Sequence, residues 1–169
     1  MTSDQYQTCP GGRGKKIKFC CGKNTQTELD KIGRAIEGQQ YEAALQQLDK
    51  MIADDPQREC AWAVKCTMLL KTGRMEEAKA TIDECLKIAP DNPVALAELS
   101  VIKDSRLGEL DQNDEHINAQ VEEILNDAVS TLHMALENSD KHMSTQVFEA
   151  IGILGELLIE SGHILAGRE

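Results

Sequence analysis

The chain has 169 residues, 41% of them apolar but only 3% aromatic, and a formal net charge of −11. That length holds one ordinary domain or a short repeat array with a small appendage. A core drawn from Leu, Ile, Ala and Met suits closely packed helices and argues against the alternating β-branched and aromatic strands of a β-sandwich. No apolar run reaches the roughly 20 residues that span a bilayer. The N-terminal residues also lack the basic segment and apolar core of a secretion signal, so a cytoplasmic location is expected.

The charge is unevenly placed. Arg13, Lys15, Lys16, Lys18 and Lys23 face only Asp4 within the first 25 residues, a net charge of +4, which leaves −15 for the rest. A basic arm on an acidic body can dock on an anion, on RNA or on the body itself, or stand as a solvated tail. From Cys9 to Gly22 the arm is too rich in Gly for a helix and too basic for a core strand. Its cysteines are then there for chemistry or by coincidence.

Cys9, Pro10, Gly12, Gly14, Lys15, Lys16, Cys20 and Cys21 stand in the register of the SEC-C motif, which this stretch resembles. The resemblance implies a small zinc-ribbon-like module with Zn2+ as cofactor and Cys9, Cys20 and Cys21 as ligands. The family's second ligand position is Gly11, which offers no side chain. A structural zinc normally has four S or N ligands in a closed tetrahedron. The site is therefore incomplete, completed by water or by one of His116, His133, His142 and His163, or abandoned. A redox role for Cys20 and Cys21 is disfavoured, because adjacent cysteines form a strained disulfide and the spacing is not Cys-x-x-Cys.

Beyond the arm, apolar residues recur at helical spacing. Leu29, Ile32 and Ile36 form a stripe opened by Thr25-x-x-Glu28 and ended at Gly38, and Ala44, Leu45, Leu48, Met51 and Ile52 form another that stops at Pro56. From Glu59 to Pro90 two further helices meet at Thr72-Gly73-Arg74. Tyr41, Ala44, Leu48 and Pro56 each lie 34 residues before Met75, Ala78, Ile82 and Pro90. A 34-residue period of helix pairs is the signature that tetratricopeptide repeats carry, and this stretch resembles them at Trp62, Gly73, Ala78, Ile82 and Pro90. Ala78 lets two helices close up and Trp62 fills the space between repeats. Cys66 and Cys85 occupy small-residue core slots.

Asp91-Asn92-Pro93 opens a third first-helix, with a capping side chain and Pro in the first turn. Ala128 follows Ala78 by 50 residues, so the third repeat holds an insertion of 16. That polar run is expected to extend the following helix back to about Ile117 and leave a short loop near Leu110 to Asp114. Asp111, Asp114, Glu115 and His116 fit no EF-hand spacing. Ser144 to Ser161 reads as a fourth first-helix, with Gly155 allowing close packing and Gly162 marking a turn. The expected fold is all-α, an α-solenoid of antiparallel helix pairs. Its parts are an arm at 1–24 and repeats at 25–57, 58–91, 92–140 with the insertion near 107–122, and a partial one at 144–169. An uncapped last helix implies a longer array or self-association through the C-terminal end.

No phosphate-binding Gly loop, His-Glu-x-x-His or Gly-x-Ser-x-Gly is present, so no enzymatic activity is expected. The resemblance implies a concave groove lined by first helices that holds an extended peptide or helix. Its residues would be Cys60, Ala63, Val64, Thr67, Leu70, Lys71, Val94, Ala97, Glu98, Val101, Asp104 and Ser105, with Glu149, Ile153, Glu156 and Glu160 beyond. This lining is apolar with an acidic rim and one Lys, so a protein or peptide partner other than an acidic C-terminal tail is expected. The alternative is a nucleic-acid- or ribosome-associated protein that binds through the basic arm, for which Phe19 alone offers a stacking ring on that stretch. The groove reading is favoured.

Overall fold

The computed structural model describes residues 6–21, 23–105, 107, 110, 116–139 and 143–166, with the side chains of residue 104 and of residues 160–166 outside that description. Among the described residues there are seven α-helices and no strand: α1 (Gln26–Glu37), α2 (Tyr41–Asp54), α3 (Glu59–Lys71), α4 (Met75–Ile88), α5 (Pro93–Ser105), α6 (Ile117–Glu137) and α7 (Thr145–Ala166). Consecutive helices pair and the pairs stack, giving the α-solenoid that the periodicity implies.

The 34-residue period is visible atom by atom. At the end of α3, Gly73 takes φ +73° and the Arg74 N–H donates to the Leu69 carbonyl at 2.9 Å. At the end of α1, Gln39 takes φ +57° and the Gln40 N–H donates to the Ala35 carbonyl at 2.7 Å. Both are left-handed helix terminations that satisfy orphan carbonyls. The second helices also end alike, with the Asp55 N–H on the Met51 carbonyl and the Ala89 N–H on the Cys85 carbonyl. Asn92 starts α5: its side-chain oxygen accepts from the Val94 and Ala95 N–H groups, and Pro93 fills the first turn. Thr25, expected to cap α1 through its side chain, makes no such bond to the first turn.

The three larger apolar clusters bridge successive pairs, as a solenoid requires. Ile32, Ala44, Leu48, Met51, Met68, Leu69 and Ala78 join the first pair to the second. Cys66, Ile82 and Cys85 meet Ala95 and Ile102 between the second and third, with Trp62 laid against them and its indole N–H donating to the Pro56 carbonyl at 2.8 Å. Cys66 and Cys85 are core thiols. Leu96, Ala97, Ala128, Leu132 and Ala135 then meet Val147, Ala150 and Leu154 of α7. Lys103 ties α5 to α6 through Asp127 and Thr131, both at 2.8 Å.

Two expectations for α7 are corrected. A Cβ on Gly155 would meet no atom within 4 Å, so that glycine serves no close helix contact. Residue 162 lies inside the helix rather than at a turn, because α7 runs unbroken to Ala166. The expected loop residues Asp111, Asp114 and Glu115 lie outside the described residues.

Candidate functional site

The arm is docked on the repeats. A single antiparallel bridge pairs Thr8 with Lys16, the Cys9 N–H donates to the Lys15 carbonyl at 2.7 Å, and Gly12 and Gly14 supply the positive φ that closes the loop between them. A 3₁₀ turn over Ile17–Phe19 then delivers Cys20 and Cys21. Arg13 reaches across to Glu59 at 2.9 Å and Asp91 at 2.6 Å, and donates to the Asp91 carbonyl at 3.2 Å. The Asn92 amide donates to the Gly11 carbonyl at 3.1 Å and to Glu59 at 2.9 Å. Hydrogen bonding to Arg13 holds the Asp91 carboxyl below its ordinary range. Gly12 rests on α5, where an added Cβ would come within 2.6 Å of Val94 Cγ2.

Docking brings the arm's thiols together under the start of α3. The Sγ atoms of Cys9, Cys20 and Cys21 lie within 4.8 Å of one another, with Cys9 to Cys21 at 3.6 Å and Cys20 to Cys21 at 3.7 Å. This group can hold a metal ion. A fourth thiol, that of Cys60 on α3, lies against Cys9 and Cys21; Cys60 and Cys9 are buried and Cys21 is half-buried. The Cys60 N–H, one of the orphan donors of the helix start, points at Cys21 Sγ from 3.2 Å. Hydrogen bonding from Cys20 and then Cys60 pulls the Cys21 thiol down, whereas hydrogen bonding to Cys20 raises Cys9 and hydrogen bonding to Cys21 raises Cys60.

The first helices α1, α3 and α7 and the arm frame two adjoining clefts. One, of about 360 Å³, runs between the arm and α1, past Thr8, Pro10, Ile17, Leu29, Ile36 and Val64. The other, of about 180 Å³, is lined by Pro10, Ile36, Ala63, Val64, Thr67, Met68, Lys71 and Gln146. Pro10, Ile36 and Val64 belong to both, so the clefts form one trough with the arm as a wall.

The expected groove residues divide. Ala63, Val64, Thr67 and Lys71 line the trough together. Cys60 and Val94 are buried beneath the arm. Leu70 packs against two core clusters, Ala97 belongs to the core at α7, and Val101 packs on that same core. Ser105 is exposed and bonds the Ile102 carbonyl, and Asp104's side chain lies outside the described ones. Beside the trough, the Thr67 hydroxyl donates to Glu98 at 2.6 Å. Burial pushes the Glu98 carboxyl up against that bond, and the charge of Glu149 adds to the rise.

Sequence reasoning placed Cys60 in the groove and missed its place among the arm's thiols. The available signal was arithmetic: six cysteines, two of them core, and a motif one ligand short.

Residues 35–100 match a family model described as "Tetratricopeptide repeat". That stretch covers α2 to α4 and most of α5, and the match supports a tetratricopeptide-repeat protein. No curated protein and no solved structure shows a significant match. No helix among the described residues is long and apolar enough to cross a membrane.

Proposed function

We propose that the chain is a non-enzymatic scaffold that holds a peptide or helix of a protein partner in the trough between the arm, α1 and α3. The carrying observation is the shared apolar strip of Pro10, Ile36 and Val64 beside a half-buried carboxylate, Glu98, that has Thr67 for a hydrogen-bond donor but no ion-pair partner among the described residues. Apolar anchors supply affinity, and a cation set against Glu98 and Glu149 relieves their repulsion. The preferred segment is therefore apolar and neutral or basic rather than an acidic tail. Fluorescence titration with matched basic and acidic apolar peptides tests this. The basic one should bind more tightly and should lose that advantage in Glu98→Gln; tighter binding of the acidic peptide contradicts the reading.

In this reading the arm is the docking element, and Cys9, Cys20 and Cys21 hold zinc. The outer face of α7 supports self-association through the C-terminal end, since Phe148 and Ile159 stand 72% and 64% exposed.

One observation favours nucleic acid as a second reading. Lys18 lies 3.7 Å from the Tyr6 ring centroid and 4.6 Å from that of Phe19, and Phe19 is exposed, which makes a small aromatic and basic patch on the arm's outer face. RNA affinity that falls steeply with salt and vanishes in Phe19→Ala would support it.

A further inference from the structure

We propose that Cys60 is the fourth thiolate of a tetrahedral zinc site whose other ligands are Cys9, Cys20 and Cys21, so that one metal ion staples the arm to α3. The proposal deepens the zinc reading of the arm and rests on it. Four sulfurs at about 2.3 Å from zinc stand about 3.8 Å from one another. The Cys9–Cys21 and Cys20–Cys21 separations of 3.6 and 3.7 Å already have that spacing.

Cys60 offers the fourth sulfur: it stands outside the three whose sulfurs all lie within 4.8 Å of one another, so metal binding must draw it closer. Its thiol lies against those of Cys9 and Cys21, in a cluster closed by Ile17 and Leu29 and separate from the one that holds Cys66 and Cys85. The arm residue that stands over it is Gly11: a Cβ there would lie 3.4 Å from Cys60 N and Cα and 3.5 Å from its Cβ. A Cβ at position 11 would stand in ordinary van der Waals contact with Cys60, so positions 11 and 60 share one side of the cluster. The missing side chain leaves that quadrant to a thiol from the helix.

The neighbours of both residues hold them in place. Glu59, adjacent to Cys60, is the acceptor for Arg13 and Asn92, and Asn92 also holds the Gly11 carbonyl. Ligand and loop are thus positioned by polar contacts that do not involve sulfur. The Cys60 N–H on Cys21 Sγ at 3.2 Å is an outer-shell bond of the kind that orients a thiolate ligand. Zinc with four thiolates carries a net charge of −2, which the N-terminus of α3 and the lysines of the arm oppose.

X-ray absorption on the zinc-loaded full chain reads the shell directly, without a variant. Four sulfurs at about 2.3 Å are expected, and three sulfurs with one nitrogen or oxygen overturn the role of Cys60 while leaving the zinc reading intact. Cobalt substitution gives the second readout. Cys60→Ser should lose about a quarter of the sulfur-to-cobalt charge-transfer intensity, one thiolate of four. Its zinc dissociation constant should rise more than about 100-fold, because outer-shell partners alone are worth about 10–100-fold. Cys66→Ser should change neither. A Cys60→Ser spectrum identical to wild type overturns the proposal, and a wild-type chain that takes up neither metal overturns the zinc reading and the proposal together.

Discussion

Gln39 and Gly73 occupy the same place in consecutive repeats and hold the same left-handed backbone. For a residue with a Cβ that conformation costs about 1–2 kcal/mol, and glycine's extra freedom when unfolded offsets about 0.5–1 kcal/mol of the gain from removing it. Gln39→Gly is therefore expected to stabilise the chain by about 0.5–1 kcal/mol and Gly73→Ala to destabilise it by about as much. Urea unfolding of both checks this; a destabilised Gln39→Gly would contradict it. Gly73 was legible in the sequence as a turn, but Gly38 drew attention away from its neighbour Gln39, where the strain lies. Gly155 misled in the same manner, since a glycine inside a helix says nothing of whether another helix stands opposite. Cys60 escaped for a different reason: its partners are 39 or more residues away, and helical periodicity alone puts it on a buried face.

At the scale of elements, the arm's attachment is the least expected feature and the most testable. Arg13 contacts residues 46 and 78 positions away and Asn92 reaches back 81, so no local pattern records these bonds. Arg13→Ala removes the bridge between arm, α3 and α5, and faster proteolysis of the arm near Lys15 and Lys16 is expected; unchanged cleavage would show that the docking does not depend on it. Gly12→Ala should have a like effect through its collision with Val94. The helices themselves were readable from their stripes, including the start of α6 at Ile117, because each stripe is local and obeys one period.

Glu98 links α5 to α3 and carries a pH dependence. Its carboxyl is raised by burial, so the folded chain holds that proton more tightly than the unfolded one. The contribution is fully present below the unfolded value near 4.3 and is lost as pH rises through the folded one. Glu98→Gln should raise the midpoint of thermal unfolding at pH 7 and leave it nearly unchanged at pH 4. An equal gain at both would remove the charge from the explanation.

For the whole molecule, the solenoid was written plainly in the 34-residue echo, and the trough was not. The sequence marks which helices line a concave face, but the arm decides how much of it stays open, covering Cys60 and Val94 and leaving Val64 at the junction of two clefts. If the thiol cluster holds the arm in place, removing metal by chelation should lower thermal stability and widen the trough together. The central claim is that a partner lies in this trough. Hydrogen exchange with and without the tighter-binding apolar peptide measures it most directly: the account expects slowed exchange in α1 and α3 around Ile36 and Val64, and slowing confined to α2, α4 or the outer face of the arm would contradict it.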